Sequence, residues 1–459
     1  MSTESNGALT TFPQKPLDVA NIAADVLAEI FFVCSIIDSP NPPDTLGWVK
    51  LAHVNKRWRQ ILLELPCLWA RIVCLFPRAF KELLARSREA PIALDYRRCR
   101  SQKDVSELES LLPRARTLSD VDAKQAPDWS ALLPGKTLCA AMEADLGYHA
   151  GELVQKRAVM PTGMMHMPAL RRLTMRNLYL RASTPNLRSL TLELNRAFPW
   201  GILVSLTDIL ALLATAPLLE RLTVRGVVAS SPDDLLVPVP LVNLQEAHLQ
   251  GYSRLLARLW SSIDTSLSTS VEFELLDNPC VQPCETLLGA AQSYVSSATS
   301  LSLEHRTSMF GNLLAFVIDE KCSIVFPCSN VPAPILSTIA SAVAEHARTL
   351  RLRIESSCYT VDDAAGALAS LKHVDTVSVC GAPTPTLLAA VREGVLPKLD
   401  TVVIEGMKGA DKAVLADALR ERGVVLRRLI IRGARKGEKA SQDNVPLQAV
   451  VSEFVEECI

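Results

Sequence analysis

The sequence predicts an α/β chain in two parts: a small three-helix domain, then a solenoid of strand–turn–helix repeats. In such a solenoid the strands form a curved parallel sheet with outer helices. Three observations predict this. Apolar residues between positions 18 and 72 recur at helical spacing. From about residue 90 short segments of the form Leu-x-x-Leu-x-Leu recur instead. Ala/Leu-rich stretches of helical character lie between those segments.

Composition bounds the reading. The chain has 459 residues, of which 49% are hydrophobic and 21% charged, which excludes a wholly disordered polymer. Its formal net charge of −1 leaves no global positive field to hold nucleic acid or an anionic membrane. Aromatics are only 5%, too few for the stacking platforms of single-strand binders, so the apolar mass is mostly aliphatic. Val26–Ile37 is too short to span a bilayer, and the apolar stretch Gly201–Leu219 is interrupted by Asp208 and Pro217. No basic-then-apolar leader opens the chain. The expectation is a soluble protein of the cytoplasm and/or nucleus. The 12 cysteines are scattered, and the closest pairs, Cys280/Cys284 and Cys322/Cys328, have no His at zinc-finger spacing. They are expected to be buried, reduced thiols.

Residues 1–17 are rich in Ser, Thr, Asn and Gly and read as a flexible leader. In the domain predicted over 18–72, Val26, Leu27, Ile30 and Phe31 share a helical stripe, with Asp25 favouring the helix start. The turn-rich run Asp38–Pro43 ends that helix. A second helical segment carries Leu46, Val49, Leu51 and Val54. A third carries Trp58, Ile61, Leu62 and Leu65 and stops before Pro66. Three short helices make a marginal core, so several apolar side chains are expected to be left over for a partner. Val54 and Ile61 read as core, whereas Ile30 and Trp69 fit core and surface equally well.

The solenoid is predicted over residues 73–433. Aligning the second apolar position of each strand segment gives a ladder at 190, 222, 247, 271, 301, 324, 350, 377, 402 and 429. Its steps run from 23 to 32 residues, the period of a leucine-rich-repeat solenoid. No single strand–turn–helix unit buries its own apolar face, so neighbours must stack. Leu118 and Leu138 mark irregular early strands in the least regular region, 95–165. Residues 434–459 read as a polar linker and a C-terminal capping helix, about Leu447–Val455. Residues between the strand leucines point to the open face of the sheet. They include Thr191, Glu193, Thr223, Arg225, His248, Gln250, Arg351, Arg353, Glu355, Ser378, Glu405 and Arg432. Arg225, His248, Arg351, Arg353, Glu405 and Arg432 are the candidate contacts to a bound protein. Their mixed signs, with Arg slightly ahead, fit a weakly acidic partner or an ordinary solvated face.

The first domain resembles a fungal F-box. The residues that carry the resemblance are Ile22, Asp25, Val26, Leu27, Ile30 and Phe31, then Leu51, Val54, Asn55, Lys56, Trp58, Arg59 and Ile61, then Pro66, Leu68 and Trp69. The ending Trp58…Pro66-x-Leu68-Trp69 is the most specific part. The family's opening Leu-Pro is Ile22-Ala23 here. The array that follows looks like the substrate-holding half of an F-box/leucine-rich-repeat protein, although the family's asparagine past the last strand leucine is clear only at Asn195.

The resemblance implies a substrate-recognition subunit of an SCF-type ubiquitin ligase. The F-box would bind a Skp-family adaptor and, through it, cullin and RING subunits, while the repeats hold an unknown protein substrate. Ile22, Val26, Leu27, Ile30, Phe31, Leu51, Val54, Trp58, Ile61, Leu68 and Trp69 would meet the adaptor. No cofactor, metal, nucleic acid or membrane is implied, and the chemistry would occur on other subunits. The alternative is a non-catalytic interaction scaffold with a vestigial F-box.

Motifs for catalysis point the same way. No two of the seven His are closer than 17 residues, so no His-x3-His metal pair exists. Pro134-Gly135-Lys136-Thr137 echoes a phosphate-binding loop, but Ser130 stands where the leading Gly would be, and it reads as a turn. No Gly-x-Gly-x-x-Gly run and no Gly-x-Ser-x-Gly elbow occurs. The Asp233-Asp234 and Asp362-Asp363 pairs read as helix-start or loop charges.

Overall fold

A computed structural model describes residues 22–41, 45–99, 102–121, 123, 127–147, 163–194, 204–226, 228–229, 237–276, 281–308, 311–327, 333–353, 366, 368–380, 395–405, 409–421, 426–432 and 451–457. The leader, Cys280, Cys328, Glu355, Asn195, both aspartate pairs and the polar linker that begins at residue 434 lie outside the described residues. The chain divides into two compact units, residues 1–127 and 128–459.

The first unit opens with α1 (Ala24–Ile37), followed by a 3-10 helix (Gly47–His53), α2 (Lys56–Leu63) and α3 (Pro66–Ala70). The expected second helix is thus a tighter 3-10 segment. It starts at Gly47, whose φ of +55° favours glycine and where a Cβ would lie 2.4 Å from the Asp38 carbonyl oxygen. Asn55 caps α2 by accepting the Trp58 N–H at 2.8 Å, and Pro66 opens α3 where its missing N–H costs nothing. Leu27, Phe31, Trp48, Leu62, Leu68 and Trp69 form the core. Its rings meet edge to face, Phe31 with Trp58 at 5.3 Å and Trp48 with Trp69 at 5.4 Å. The Trp69 indole N–H donates to the Leu62 carbonyl at 2.9 Å, so the ring is buried without an orphaned donor. The unit continues through α4 (Phe80–Ser87), β1 (Ile92–Asp95), α5 (Gln102–Glu109) and β2 (Ala115–Ser119), with β1 and β2 parallel.

The second unit is mixed α/β, with a large, mostly parallel sheet. Its strands are β3 (Glu143–Gly147), β4 (Arg172–Arg176), β5 (Ser189–Leu194), β6 (Arg221–Gly226), β7 (Glu246–Gly251) and β8 (Ser270–Leu275). There follow β9 (Ser300–Ser308), β10 (Gly311–Ile318), β11 (Cys322–Pro327), β12 (Thr349–Arg353) and β13 (Thr376–Cys380). The last are β14 (Thr401–Glu405), β15 (Leu426–Arg432) and β16 (Val451–Glu457). They lie side by side in chain order except that β8 is followed by β11, β10 and β9 before β12. Helices fill the connections: α6 (Trp129–Leu132), α7 (Leu206–Ala214), α8 (Ser253–Ser261), α9 (Val281–Ala290), α10 (Gln292–Val295), α11 (Ala333–Val343) and α12 (Gly409–Glu421).

Stacking rests on a repeated backbone bond. At eight strand starts among the described residues, two consecutive N–H groups share one carbonyl, that of the residue just before the neighbouring strand. Arg188 and Ser189 donate to Arg171 O at 2.9 and 3.0 Å, Glu220 and Arg221 to Arg188 O at 2.8 and 2.9 Å, and Asp400 and Thr401 to Asp375 O at 2.8 and 2.9 Å. This fixes register, so Leu173, Leu190 and Leu222 stand in line, as do Met175, Leu192 and Val224. All six side chains are buried. One strand face feeds the core and the other carries the polar residues.

Three expectations need correction. Leu301 and Ile324 are not successive rungs. β9, β10 and β11 form an antiparallel meander that runs backwards through the sheet, so Phe273 faces Ile324 while Leu301 faces Leu350. The tight turn between β10 and β11, with Asp319 and Glu320 at φ of +48° and +58°, allows the reversal. Second, residues 451–457 are strand β16, paired parallel with β15, and not part of a capping helix. The open edge of β15 supplies the pairing partners for their backbone groups, whereas a short terminal helix without packing is marginal in water. Third, Leu138 is not in a strand; the irregular region instead supplies β3, and the strand after it is β4, built on Leu170-x-x-Leu173-x-Met175. The Pro134–Thr137 segment contains a turn, with Gly135 at φ of +77°.

The stack is sensitive to single atoms. Leu222→Ala should cost about 2–5 kcal/mol in denaturant unfolding, against less than about 1 kcal/mol for Thr223→Ala on the opposite face. Gly226, at φ +106°, would place a Cβ 1.7 Å from the Leu194 carbonyl oxygen, so Gly226→Ala should destabilise at least as much as Leu222→Ala. Equal unfolding midpoints for Thr223→Ala and Leu222→Ala would contradict this packing.

Candidate functional site

Two surfaces merit a functional reading, one in each unit. In the first unit α1 is apolar on nearly every side. Its inward stripe is Leu27, Phe31 and Ser35. That leaves six large apolar residues of one helix in solvent: Val26 (48% exposed), Ile30 (36%), Phe32 (40%), Val33 (51%), Ile36 (62%) and Ile37 (79%). A surface helix ordinarily puts polar residues there, and contiguous exposed apolar area marks an interaction site. Val26, Ile30, Val33 and Ile37 follow the i, i+4, i+7, i+11 spacing of a helix that lies in a groove. Val54 and Leu46 are also exposed, as is Leu63 on α2. Arg71 stacks on Phe32 at 5.6 Å and donates to the Ser35 hydroxyl at 3.1 Å, steadying the end of the helix.

The sequence-predicted set therefore splits. Leu27, Phe31, Leu68 and Trp69 are core, and Ile22, Leu51, Trp58 and Ile61 are half-buried. Val26, Ile30 and Val54 are presented outward, Val54 against the expectation that it is core. Phe32, Val33, Ile36 and Ile37 were missed. Their signal was present, because a stretch as uniformly apolar as Val26–Ile37 cannot bury every side of a single surface helix.

In the second unit the predicted face residues form chains of ion pairs across the strands. Arg176 meets Asp145 at 2.7 Å and Glu193 at 3.4 Å, and Arg225 meets Glu193 at 3.6 Å. His248 Nδ1 lies 2.9 Å from Glu272, and its Nε2 lies 3.5 Å from Glu274, an ion-pair distance too long for a good hydrogen bond. Arg306 joins Glu272 at 2.7 Å and Glu304 at 3.3 Å. Because β10 and β11 lie between β8 and β9, the Arg306–Glu272 pair crosses two strands. Arg351 and Arg432 converge on Glu405 at 3.6 and 3.4 Å, with the Cys380 thiol 3.1 Å from the same carboxylate. Arg353 is exposed and makes no ion pair among the described residues.

These contacts set the charge states. The hydrogen bond to Glu272, and then the longer contact with Glu274, raise the His248 pKa from 6.5 to about 9 against the opposing effect of burial. The His248 contact, helped by Arg306, lowers Glu272 from 4.5 to about 2. The Cys380 contact and the flanking Arg351 and Arg432 hold Glu405 below its ordinary value. Burial alone pushes the Cys322 thiol up to about 12. No group of three or more His, Cys, Asp or Glu among the described residues is placed to hold a metal ion. No helix among them is long and apolar enough to cross a membrane.

The chain matches no protein-family model and no curated protein.

The His248 cluster predicts a pH signature. The folded pKa of His248 is raised, so its stabilisation is complete below about pH 6.5 and is lost as pH rises through about 9. Glu272 acts oppositely: its stabilisation is present above about pH 4.5 and is lost as pH falls toward 2. His248→Gln should remove on the order of 1–2 kcal/mol of the stability loss seen between pH 7 and 10. An NMR titration that places the imidazole near 6.5 would contradict the cluster geometry.

Proposed function

We propose that the chain is a non-catalytic substrate receptor of an SCF-type ubiquitin ligase. In this reading the first unit is an F-box that docks on a Skp-family adaptor, and the second is a leucine-rich-repeat array that holds a protein substrate. The observation that carries the proposal is the outward apolar face of α1, namely Val26, Ile30, Phe32, Val33, Ile36 and Ile37. An amphipathic groove on the adaptor would cover it. The Trp58…Pro66-x-Leu68-Trp69 resemblance supports the choice of partner, and here those tryptophans shape the core that holds α1 in place. Joining this plug to a substrate-holding array raises the effective concentration of substrate lysines beside a ubiquitin-charged enzyme. No residue of the chain needs to perform chemistry, and the action belongs in the cytoplasm or nucleus.

A second reading keeps the array as an interaction scaffold with a vestigial F-box. The replacement of Leu-Pro by Ile22-Ala23 favours it. The two readings separate in one titration of the full chain with purified Skp-family adaptor. The ligase reading predicts saturable binding that weakens at least about 100-fold in Ile30→Glu/Val33→Glu, with an unchanged melting curve. Absence of binding by the wild-type chain would sink it and leave the scaffold. Trp69→Ala, by contrast, should unfold the first unit, at a cost of about 3–5 kcal/mol.

A further inference from the structure

The charged sheet face is largely occupied with itself, because its carboxylates are committed to neighbouring Arg or His side chains. A partner bound there would first have to break those pairs. The edge where the strands begin is different. Each of β4 to β8 is preceded by a tight turn closed by an N–H to C=O bond three residues apart: Leu170 to Met167, Leu187 to Thr184, Leu219 to Ala216, Leu244 to Leu241 and Thr269 to Ser266. The two central residues of such a turn project into water, and Pro, Gly, Asn, Asp and Ser ordinarily fill them. Three adjacent turns break that rule. Leu218 is 39% exposed, Val242 67% and Leu267 60%. A local rule broken in three successive turns, at the second central position by Leu218 and at the first by Val242 and Leu267, is the mark of a functional surface.

Two further features lie on this edge. Ala140, Met142, Ala169, Arg171, Asn186, Arg188 and Leu218 line a concavity of about 350 Å³ in which Leu218 forms one wall. Cations also outnumber carboxylates at the first strand starts. Arg171, Arg172, Arg188 and Arg221 stand against Glu143, Glu220 and Glu246. Glu143 is taken by Arg172 at 3.3 Å and Glu220 by Arg188, which leaves Arg171 and Arg221 exposed without an ion pair among the described residues. Neighbouring strands are about 4.8 Å apart. A row of one side chain per turn therefore advances at nearly the pitch of an α-helix, about 5.4 Å.

We infer that this edge is a docking site for an acidic amphipathic helix of a partner protein. The helix lies across the turns and places aliphatic side chains against Leu218, Val242 and Leu267. One aliphatic anchor enters the concavity beside Met142, and carboxylates on the helix flank meet Arg171 and Arg221. The inference does not depend on adaptor binding by the first unit. It moves the recognition surface from the middle of the sheet to its strand-start edge.

The test uses the full chain and a fluorescein-labelled helical peptide with leucines at i, i+4, i+7 and i+11 and glutamates on both flanks. Saturable binding is expected. It should weaken at least about tenfold in Leu218→Asp/Val242→Asp and again in Arg171→Glu/Arg221→Glu, and a peptide with lysine for glutamate should bind more weakly. If the aspartate variant melts early, Val242→Ser/Leu267→Ser gives the same comparison at two more exposed positions. No binding by the wild-type chain, undiminished binding by these variants, or loss of binding through Arg353→Glu on the sheet face would overturn the inference. Light scattering that shows a dimer of the chain dissolved by Leu218→Asp would overturn it too, by assigning the row to a second copy.

Discussion

The second unit depends on one backbone contact made repeatedly: two amides at the start of a strand share a single carbonyl at the entry to the neighbouring strand. A strand–turn–helix unit cannot cover its own apolar side, so its stability is a property of its neighbours. The shared carbonyl sets how far along each neighbour sits, and register then decides which side chains meet. A slip of one residue would exchange the buried Leu190 and Leu192 for Thr191 and Glu193. The close approach at Gly226, where a methyl group would strike the Leu194 carbonyl, follows from the same constraint.

What the stack fixes, it also leaves over. The polar side of each strand becomes a row, and charges in adjacent rows neutralise each other, as in Asp145–Arg176–Glu193–Arg225. Apolar residues outside the two cores are then conspicuous. Two groups of them stand out, on α1 in the first unit and on three successive turns in the second. Neither place gains folding stability from them, since an exposed leucine or valine adds nothing to a buried core. Both surfaces are open to other molecules, as the proposed adaptor and partner binding requires.

Much of this was legible in the sequence because periodicity survives degeneracy. Leu187-x-x-Leu190-x-Leu192 and Leu399-x-x-Val402-x-Ile404 announce strands at the same offset from their turns, and the structure places them so. The ladder misled at Leu301 and Ile324 because spacing along the chain carries no direction, and a meander of three strands keeps almost the same steps as successive rungs. The closing strand was hidden for a related reason. Residues 447–455 fit a short helix locally, and only the unpaired edge of β15 makes Val451–Glu457 a strand. In the first unit helical spacing identified α1 but could not choose its inner face, since apolar residues line all sides. Leu27 and Phe31 turn inward because Trp58 offers Phe31 an edge-to-face partner. The exposed leucine and valine of the turns left a sequence signal in the unusual Pro217-Leu218 and Val242-Asn243 pairs, readable only once the turns themselves are placed.

Hydrogen exchange followed by mass spectrometry, on the full chain with and without purified Skp-family adaptor, tests the central claim most directly. The account predicts that amides at the strand starts, such as Glu220, Arg221, Asp400 and Thr401, exchange slowly in both states. It also predicts that exchange across residues 24–37 slows further when adaptor is present. Unchanged exchange across 24–37, or adaptor-induced protection confined to the sheet of the second unit, would contradict it.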